Sequence, residues 1–228
     1  MGENLDGAPY PQKIIVPYLN IVHDRIPLEI ARGCTRGCRF CQAGMIYRPH
    51  RERSPEKGIE LAEKLVKSTG YEEVSLLSLS STDYSAIEYL VRDLSFRLKE
   101  SKVNVSLPSL RMDAFSVGVA QSLQEVRRSG LTFAPEAGSE RLRRVINKGL
   151  TDEDIFQTVE KTFSSGWREV KLYFMIGLPG EREEDIRDIA NLVKEILGRG
   201  KKKGVHLGIS AFIPKSHTPF QWTKQEEI

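Results

Sequence analysis

The sequence predicts an α/β fold in which helices cover a parallel sheet. Short apolar segments alternate with helix-like segments along the chain, and several of these apolar segments lack the polar alternation of a half-exposed strand. The strand candidates are Leu28–Ala31, Glu73–Leu79, Val103–Leu107, Leu131–Ala134, Glu169–Ile176 and Val205–Phe212. Together with the helices between them, they form six βα units.

Two of the intervening helices have clear start signals. Ser54 precedes Pro55 at the first helical position, and Thr151 precedes a run of three acidic residues. Apolar residues at helical spacing then predict the faces that pack on the sheet. They are Ile155, Val159, Thr162 and Phe163 in one helix, and Ile186, Ile189, Ala190, Val193 and Leu197 in a later one.

Length and composition predict one globular core. The chain has 228 residues, of which 39% are hydrophobic and 29% charged, and its net charge of +3 is too small to identify a polyanionic partner. Because the sequence has neither a signal-peptide pattern nor an apolar run near ~18 residues, we expect a cytoplasmic protein without a membrane span.

We divide the chain into a lead-in over 1–24, a main domain over 25–222 and the start of a further segment over 223–228. The basis for the last division is Thr223–Glu226, which has the form of a helix N-cap with a capping box. We therefore expect a helix to begin there, and the chain to be a piece of a longer polypeptide.

The cysteines carry the strongest chemical signal. Cys34, Cys38 and Cys41 are the only cysteines, and they follow the first predicted strand at C-x3-C-x2-C spacing. This spacing is too tight for a disulfide framework, so the thiols are expected to be reduced ligands. Three thiolates on a 4Fe-4S cluster leave one iron without a protein ligand. The structural alternative is a zinc site with His50 as fourth ligand.

This motif, with Phe40 before its last cysteine, resembles that of the radical S-adenosylmethionine (SAM) superfamily. The resemblance implies a partial (β/α)6 TIM-like barrel of parallel strands, open on one side. It also implies that Cys34, Cys38 and Cys41 form the catalytic and metal-binding site and hold a 4Fe-4S cluster. In that superfamily the unique iron binds SAM, whose reductive cleavage yields a 5′-deoxyadenosyl radical that abstracts hydrogen from a substrate.

In a barrel of parallel strands the active site lies at the carboxyl ends of the strands. By resemblance, Ser80, Ser81 and Thr82 after the second strand are candidates to meet the amino group of SAM. An alternative reading makes Ser81 or Thr82 only the N-cap of the next helix.

Later strand ends supply further cofactor candidates by resemblance. Glu136, in a segment that runs on to Ser139, would meet the ribose, and Lys148 would meet the carboxylate of SAM. Lys171 and Tyr173 share one face of the fifth strand by period two. Along with Gly177 in the loop that follows, they are assigned to the adenine side of the cofactor.

The longer motifs look most like an uncharacterised bacterial family in which such a barrel is fused behind a cobalamin-binding-like domain, with methylthiotransferases as more distant relatives. Cobalamin would then enter as a cofactor through a flanking domain missing from this chain, and a flavodoxin or ferredoxin would be the reductant. Two other function classes stay open. They are an iron-sulfur electron-transfer module, and an RNA-binding module that uses Tyr47, Arg48, His50, Arg51 and Arg53.

Overall fold

The structure is a computed structural model that describes residues 5–19, 21–113, 118, 131–200 and 203–226. Strands and helices alternate along most of the described chain. The strands are β1 (Ile26–Glu29), β2 (Ala31–Arg32), β3 (Arg51–Glu52), β4 (Glu73–Leu77), β5 (Asn104–Ser106), β6 (Leu131–Glu136), β7 (Glu169–Ile176) and β8 (Gly204–Ala211). The α-helices are α1 (Gln42–Ile46), α2 (Pro55–Thr69), α3 (Ile87–Leu98), α4 (Glu140–Val145), α5 (Asp152–Ser164) and α6 (Glu183–Arg199), and a 3-10 turn covers Ser81–Asp83.

Six of these strands form two parallel sheets, in the orders β1-β4-β5 and β6-β7-β8. Each of the six overlaps a strand candidate, so the predicted α/β fold with parallel strands is confirmed. Contacts divide the chain into two compact units. The first takes the described parts of Met1–Arg32, His50–Ser109 and Gly118–Ser129, and the second those of Gly33–Pro49, Leu110–Val117 and Gly130–Ile228.

In the first unit, α2 and α3 cover the sheet β1-β4-β5. Helix α2 starts as predicted: the Ser54 side chain accepts a hydrogen bond from the Lys57 N–H at 3.3 Å, and Pro55 takes the first helical position. It ends at Gly70, whose φ of 73° is the left-handed conformation typical of a helix end. The buried stripes of the two helices then pack on Ile26, Leu28 and other strand residues, which are fully buried.

In the second unit, β7 is the central strand of the sheet β6-β7-β8. Val170, Leu172 and Phe174 are buried on one face of this strand, while Lys171 and Tyr173 are exposed on the other. The period-two prediction for this strand is therefore confirmed. Helix α5 also begins as predicted, with a capping box formed by Thr151 and Asp154.

Some sequence predictions were wrong in detail. Helix α6 buries Ile189, Leu192 and Ile196, whereas Ile186 and Leu197 from the predicted face remain 45% and 43% exposed. The buried stripe instead runs through Asp185, Ile189, Leu192 and Ile196, and the Asp185 carboxylate makes the polar contacts described below.

Two shorter segments also differ from expectation. The antiparallel pair β2–β3 was not predicted, because two-residue strands carry no periodicity. In the tail, Thr223–Glu226 is not helical, and the Thr223 hydroxyl instead donates to the Phe220 carbonyl at 2.8 Å. Among the described helices, none is both long enough and apolar enough to cross a membrane.

Candidate functional site

The cysteine loop joins β2 to α1. Its turns depend on Gly33 and Gly37, whose φ angles of 88° and 69° lie in the region that glycine adopts without steric cost. Cys41 is the N-cap of α1, and its Sγ accepts a hydrogen bond from the Gly44 N–H at 3.4 Å. Near the start of the loop, the Cys34 Sγ accepts from the Arg36 N–H at 3.5 Å. Two of the three sulfurs are therefore oriented by backbone donors.

The turn after α4 holds this loop in place. The Arg39 N–H donates to the Ile146 carbonyl at 2.9 Å, and the Arg39 side chain donates to the Val145 carbonyl at 2.6 Å. From the same turn, the Asn147 amide donates to the Gly37 carbonyl at 2.9 Å and to the Arg36 carbonyl at 3.3 Å. The backbone on both sides of Cys38 is thereby bound to one turn.

Apolar packing supports the same arrangement. Phe40 packs against a buried cluster drawn from α4 and the residues on either side of it, from the loop after β7 and from the segment after β8. Its buried members are Ala137, Leu142, Ile146, Leu178, Phe212 and Phe220, with Val145 and Met175 packed against them beside Phe40. The packing of Phe40, the aromatic residue of the cysteine motif, therefore connects the loop to the segments that follow the strands.

All three thiols are free and partly buried. Burial raises the pKa of the Cys38 thiol, while the positive charges of Lys148 and Arg111 act in the opposite direction. The sulfurs do not converge on a point: across the described ranges, no three His, Cys, Asp or Glu side chains are close enough to hold a metal ion. The donor set nevertheless fits an iron-sulfur cluster, because three unpaired thiols share one loop beside two cations that would offset thiolate charge.

Glu136 and Lys148, which the sequence assigned to the cofactor, lie together. The Lys148 ammonium donates to Glu136 Oε1 at 3.2 Å, and the two side chains are only 12% and 16% exposed. Glu136 has a φ of 73°, and the β6–β7 register shifts between Phe133 and Glu136. Such an irregularity re-aims a side chain at the end of a strand, and it persists in a non-glycine residue only where the surroundings enforce it.

A second charged group near Cys38 was missed by the sequence analysis. Arg111, which is 9% exposed, donates to both carboxylate oxygens of Asp113 at 2.9 and 3.1 Å and to the Lys148 carbonyl at 2.8 Å. Asp113 also accepts from Arg36 of the cysteine loop at 3.0 Å. These residues follow the third predicted strand, so the rule that located Glu136 would have found them had it been applied to every strand end.

The hydroxyl of Ser139, another cofactor candidate, caps α4 by accepting from the Leu142 N–H at 3.1 Å, and it donates to Asp185. Burial alone would raise the pKa of Asp185, but hydrogen bonds from Ser139, Arg141 and the Arg182 N–H hold it below its usual value. Gly138 lies beside this contact, where an added Cβ would come within 2.3 Å of the Ile189 backbone nitrogen. The loop after Glu136 is therefore packed directly on the backbone of α6.

The serine segment after β4 belongs to the first unit. Ser80, Ser81 and Thr82 are all buried, and the Ser80 hydroxyl donates to Asp83 at 2.7 Å. The following helix α3 is capped by Ala86, so neither Ser81 nor Thr82 is its N-cap. The cofactor assignment of this segment stays a prediction.

The remaining candidates lie along β7 and the loop after it. Lys171 and Tyr173 contact each other, with the ammonium 4.8 Å from the centre of the ring. Beyond the strand, Gly177 has a φ of 78°, and its N–H donates to the Glu181 carboxylate at 2.6 Å. Burial raises the pKa of Glu181, and this hydrogen bond opposes the rise.

One arginine of the basic run considered for RNA binding is buried. Arg53 is 2% exposed, and it donates to the carbonyls of Glu29 and Leu5 at 3.0 and 2.9 Å. Arg48 donates to the Gly44 carbonyl at 2.9 Å. A buried arginine cannot contact a phosphate backbone, so Arg53 is not accessible to RNA.

Comparison with known proteins now identifies the family. Residues 28–193 match the Radical SAM superfamily. The uncharacterized protein MJ0966 of Methanocaldococcus jannaschii is 40% identical over 194 residues, which cover 85% of this chain and 42% of that protein. The ribosomal protein uS12 methylthiotransferase RimO of Caldanaerobacter subterraneus subsp. tengcongensis is 27% identical over 177 residues, or 74% of this chain and 40% of that protein.

The fold has counterparts among solved structures. The radical SAM methyltransferase TsrM of Kitasatospora setae, with tryptophan substrate and a SAM analogue bound, superposes with a TM-score of 0.69 at 17% identity. The match covers 86% of this chain and 38% of that one, and a second structure of TsrM holds cobalamin and a [4Fe-4S] cluster. The chain spans about two fifths of the length of the curated relatives it matches. The superfamily match covers most of the chain and confirms the predicted enzyme class: this chain belongs to the radical SAM superfamily.

Proposed function

We propose that this chain is the catalytic domain of a radical SAM enzyme, in which Cys34, Cys38 and Cys41 ligate a 4Fe-4S cluster and SAM binds beside it. The observation that carries the proposal is the position of Cys38. It lies on a loop bound by Asn147 and in the electrostatic field of Lys148, and Lys148 in turn pairs with Glu136. When bound and reduced, the cluster supplies the electron that cleaves SAM to methionine and a 5′-deoxyadenosyl radical.

The chain's own residues orient the cofactor. Lys148 offers a point charge to the carboxylate of SAM, and Glu136 offers acceptor oxygens to the ribose hydroxyls. Because both side chains are mostly buried, their contacts with a ligand would be stronger than those of exposed groups. In the free protein each of the two neutralises the other, so neither charge is buried alone.

Arg111, Asp113 and Asn147 support these contacts. Arg111 binds the Lys148 carbonyl and Asp113, and Asp113 binds Arg36 of the cysteine loop. The network therefore joins the cysteine loop and the Lys148 turn through side chains on the segment after β5. Such supporting contacts fix the geometry of the residues that touch a cofactor.

The wider reaction follows from the relatives. TsrM binds cobalamin in a solved structure, and we propose cobalamin as a third cofactor, held by a domain outside this chain. A small reductant protein, a flavodoxin or ferredoxin in the cytoplasm, would supply the electron. The second candidate function is modification of RNA or protein by methylthio transfer, which the similarity to RimO favours.

Anaerobic reconstitution with iron and sulfide tests the cluster. We expect about four irons per chain and broad visible absorption, because three thiolates with one open iron suit a 4Fe-4S cluster. Adding SAM to the reduced protein should change the electron paramagnetic resonance spectrum. A chain that binds a single zinc ion and stays colourless would contradict the proposal.

Glu136→Gln and Lys148→Met are expected to weaken SAM binding by about 1–3 kcal/mol each, with iron content unchanged, because each removes a charged hydrogen-bonding partner. Equilibrium binding to the reconstituted protein would measure the loss. Glu184→Gln and Lys194→Met, at exposed positions on α6, are matched controls that should bind SAM normally. Unchanged binding in Glu136→Gln or Lys148→Met would remove that residue from the cofactor site, and loss of iron would mean a structural role.

A further inference from the structure

One face of β7 and β8 combines an aromatic ring, a lysine and a glycine. Tyr173 lies directly across from Gly208 in the parallel pairing, and both residues are on the face opposite Val170, Leu172 and Phe174. A Cβ added at Gly208 would come within 2.4 and 2.5 Å of two Tyr173 ring carbons. The tyrosine ring therefore lies against the glycine backbone, in space that any other residue would fill.

Glycine has a general cost in the interior of a strand. In the interior of a strand it costs about 0.5–1 kcal/mol relative to alanine and contributes no side chain to packing. Gly208 has β8 residues on both sides, and its pairing with Tyr173 continues the register without interruption. A larger residue at this position would clash with the Tyr173 ring, so glycine is what allows the ring to lie against β8.

A positive charge, that of Lys171, lies beside the Tyr173 ring on this face. The Lys171 ammonium is 4.8 Å from the centre of the Tyr173 ring, and no carboxylate contacts it among the described residues. Glu169, two residues before Lys171 on the same face of β7, lies 3.1 Å from Nε2 of His206. Lys171 and Tyr173 are both exposed, so a ligand can reach the cation and the ring together.

Tyr173 lies near the end of β7 that packs with the cysteine motif. Met175, two residues beyond Tyr173 and on the same face, packs against the apolar cluster that Phe40 also contacts. Two residues of a strand span roughly 6.6 Å. A ligand of ordinary size lying on Tyr173 would therefore extend towards the strand ends that pack with the cysteine motif.

We propose that Lys171, Tyr173 and Gly208 form a binding platform for a small organic anion with a flat ring. The ligand carboxylate pairs with Lys171 and draws its ammonium off the Tyr173 ring, and the ligand ring stacks in its place. Aromatic stacking and a nearby cation select for this combination. The platform replaces the cofactor role that the resemblance gave to Lys171 and Tyr173. That its ligand is the substrate of the radical reaction rests on the proposed function. Binding itself does not, because the platform is made entirely of side chains and backbone of the second unit.

The test uses indole-3-acetate and its neutral isostere indole-3-acetamide as probes, with binding measured by ligand-observed NMR on the whole chain. The acetate should bind at millimolar concentration or better, and the amide about fivefold to tenfold more weakly. Lys171→Met should abolish this discrimination, whereas Tyr173→Leu should weaken both probes. Lys194→Met, an exposed lysine on α6, should behave as the unmodified chain.

Three results would overturn the platform: no acetate binding at concentrations up to roughly 10 mM, equal binding of acetate and amide, or an unaltered preference in Lys171→Met. Competition by SAM in the cluster-loaded protein would also overturn it, because Lys171 and Tyr173 would then belong to the cofactor site. The test of the platform and the test of the proposed function give independent results. A chain that binds the acetate but assembles no cluster keeps the platform and contradicts the proposed function. A chain that assembles the cluster but does not bind the acetate keeps the proposed function and contradicts the platform.

Discussion

Each of Cys34→Ala, Cys38→Ala and Cys41→Ala is expected to abolish assembly of a stable 4Fe-4S cluster. No other cysteine can replace a lost ligand, because these three are the only cysteines of the chain. Losing one would leave two irons without a protein ligand. After anaerobic reconstitution, iron analysis and the visible spectrum should show the loss directly, with iron falling from about four per chain to a small fraction of that number.

Thr35→Ala is the matched control, because Thr35 lies on the same loop and is exposed. It should reconstitute like the unmodified chain. Circular dichroism of each cysteine variant would check that the fold is retained. A correctly folded variant that keeps its full iron content would show that the missing cysteine is not a ligand.

Gly138→Ala is expected to destabilise the protein strongly. The added Cβ would lie 2.3 Å from the Ile189 nitrogen, 2.6 Å from the Asp185 carbonyl oxygen and 2.7 Å from the Asp188 carbonyl carbon, all in the backbone of α6. A backbone cannot move aside as a flexible side chain does, so the helix and the loop must separate. We expect a loss at the upper end of overpacking penalties, about 3 kcal/mol or more in the free energy of unfolding.

Gly198→Ala, on the helix α6 that Gly138 contacts, is the control for this change. Gly198 has no heavy atom within 4 Å of an added Cβ, and alanine is the better helix former there, so stability should be unchanged or slightly higher. Urea unfolding of the two variants gives the comparison. A Gly138→Ala midpoint equal to that of the unmodified chain would mean that the loop after Glu136 is not packed on α6 as described.

The strands and the cysteine loop could be predicted because their signals are local. Apolar runs such as Glu169–Ile176 coincide with β7 residue for residue, and capping residues such as Thr151 placed the start of α5. The cysteine spacing needed no tertiary information, and the family match confirms the predicted superfamily. The cofactor role of each site residue still awaits the binding experiments.

The pairings within the site could not be predicted, because they depend on the three-dimensional fold. Glu136 and Lys148 were predicted separately, and nothing local indicates that they form an ion pair. Arg111 and Asp113 follow a predicted strand and could have been named as candidates, but their contacts with Lys148 and Arg36 join segments that lie far apart in the chain. Gly208 was not singled out either, since its importance lies in a contact with Tyr173 on the neighbouring strand.

Formation of 5′-deoxyadenosine tests the central claim most directly. The reconstituted chain, reduced with dithionite and supplied with SAM, should slowly release 5′-deoxyadenosine and methionine even without its substrate, and the cysteine variants should release none. The rate is expected to be low, because water can enter a site that no substrate fills. If a chain with a full cluster and bound SAM formed no 5′-deoxyadenosine, the cluster would serve binding or electron transfer, and the radical SAM account would be contradicted.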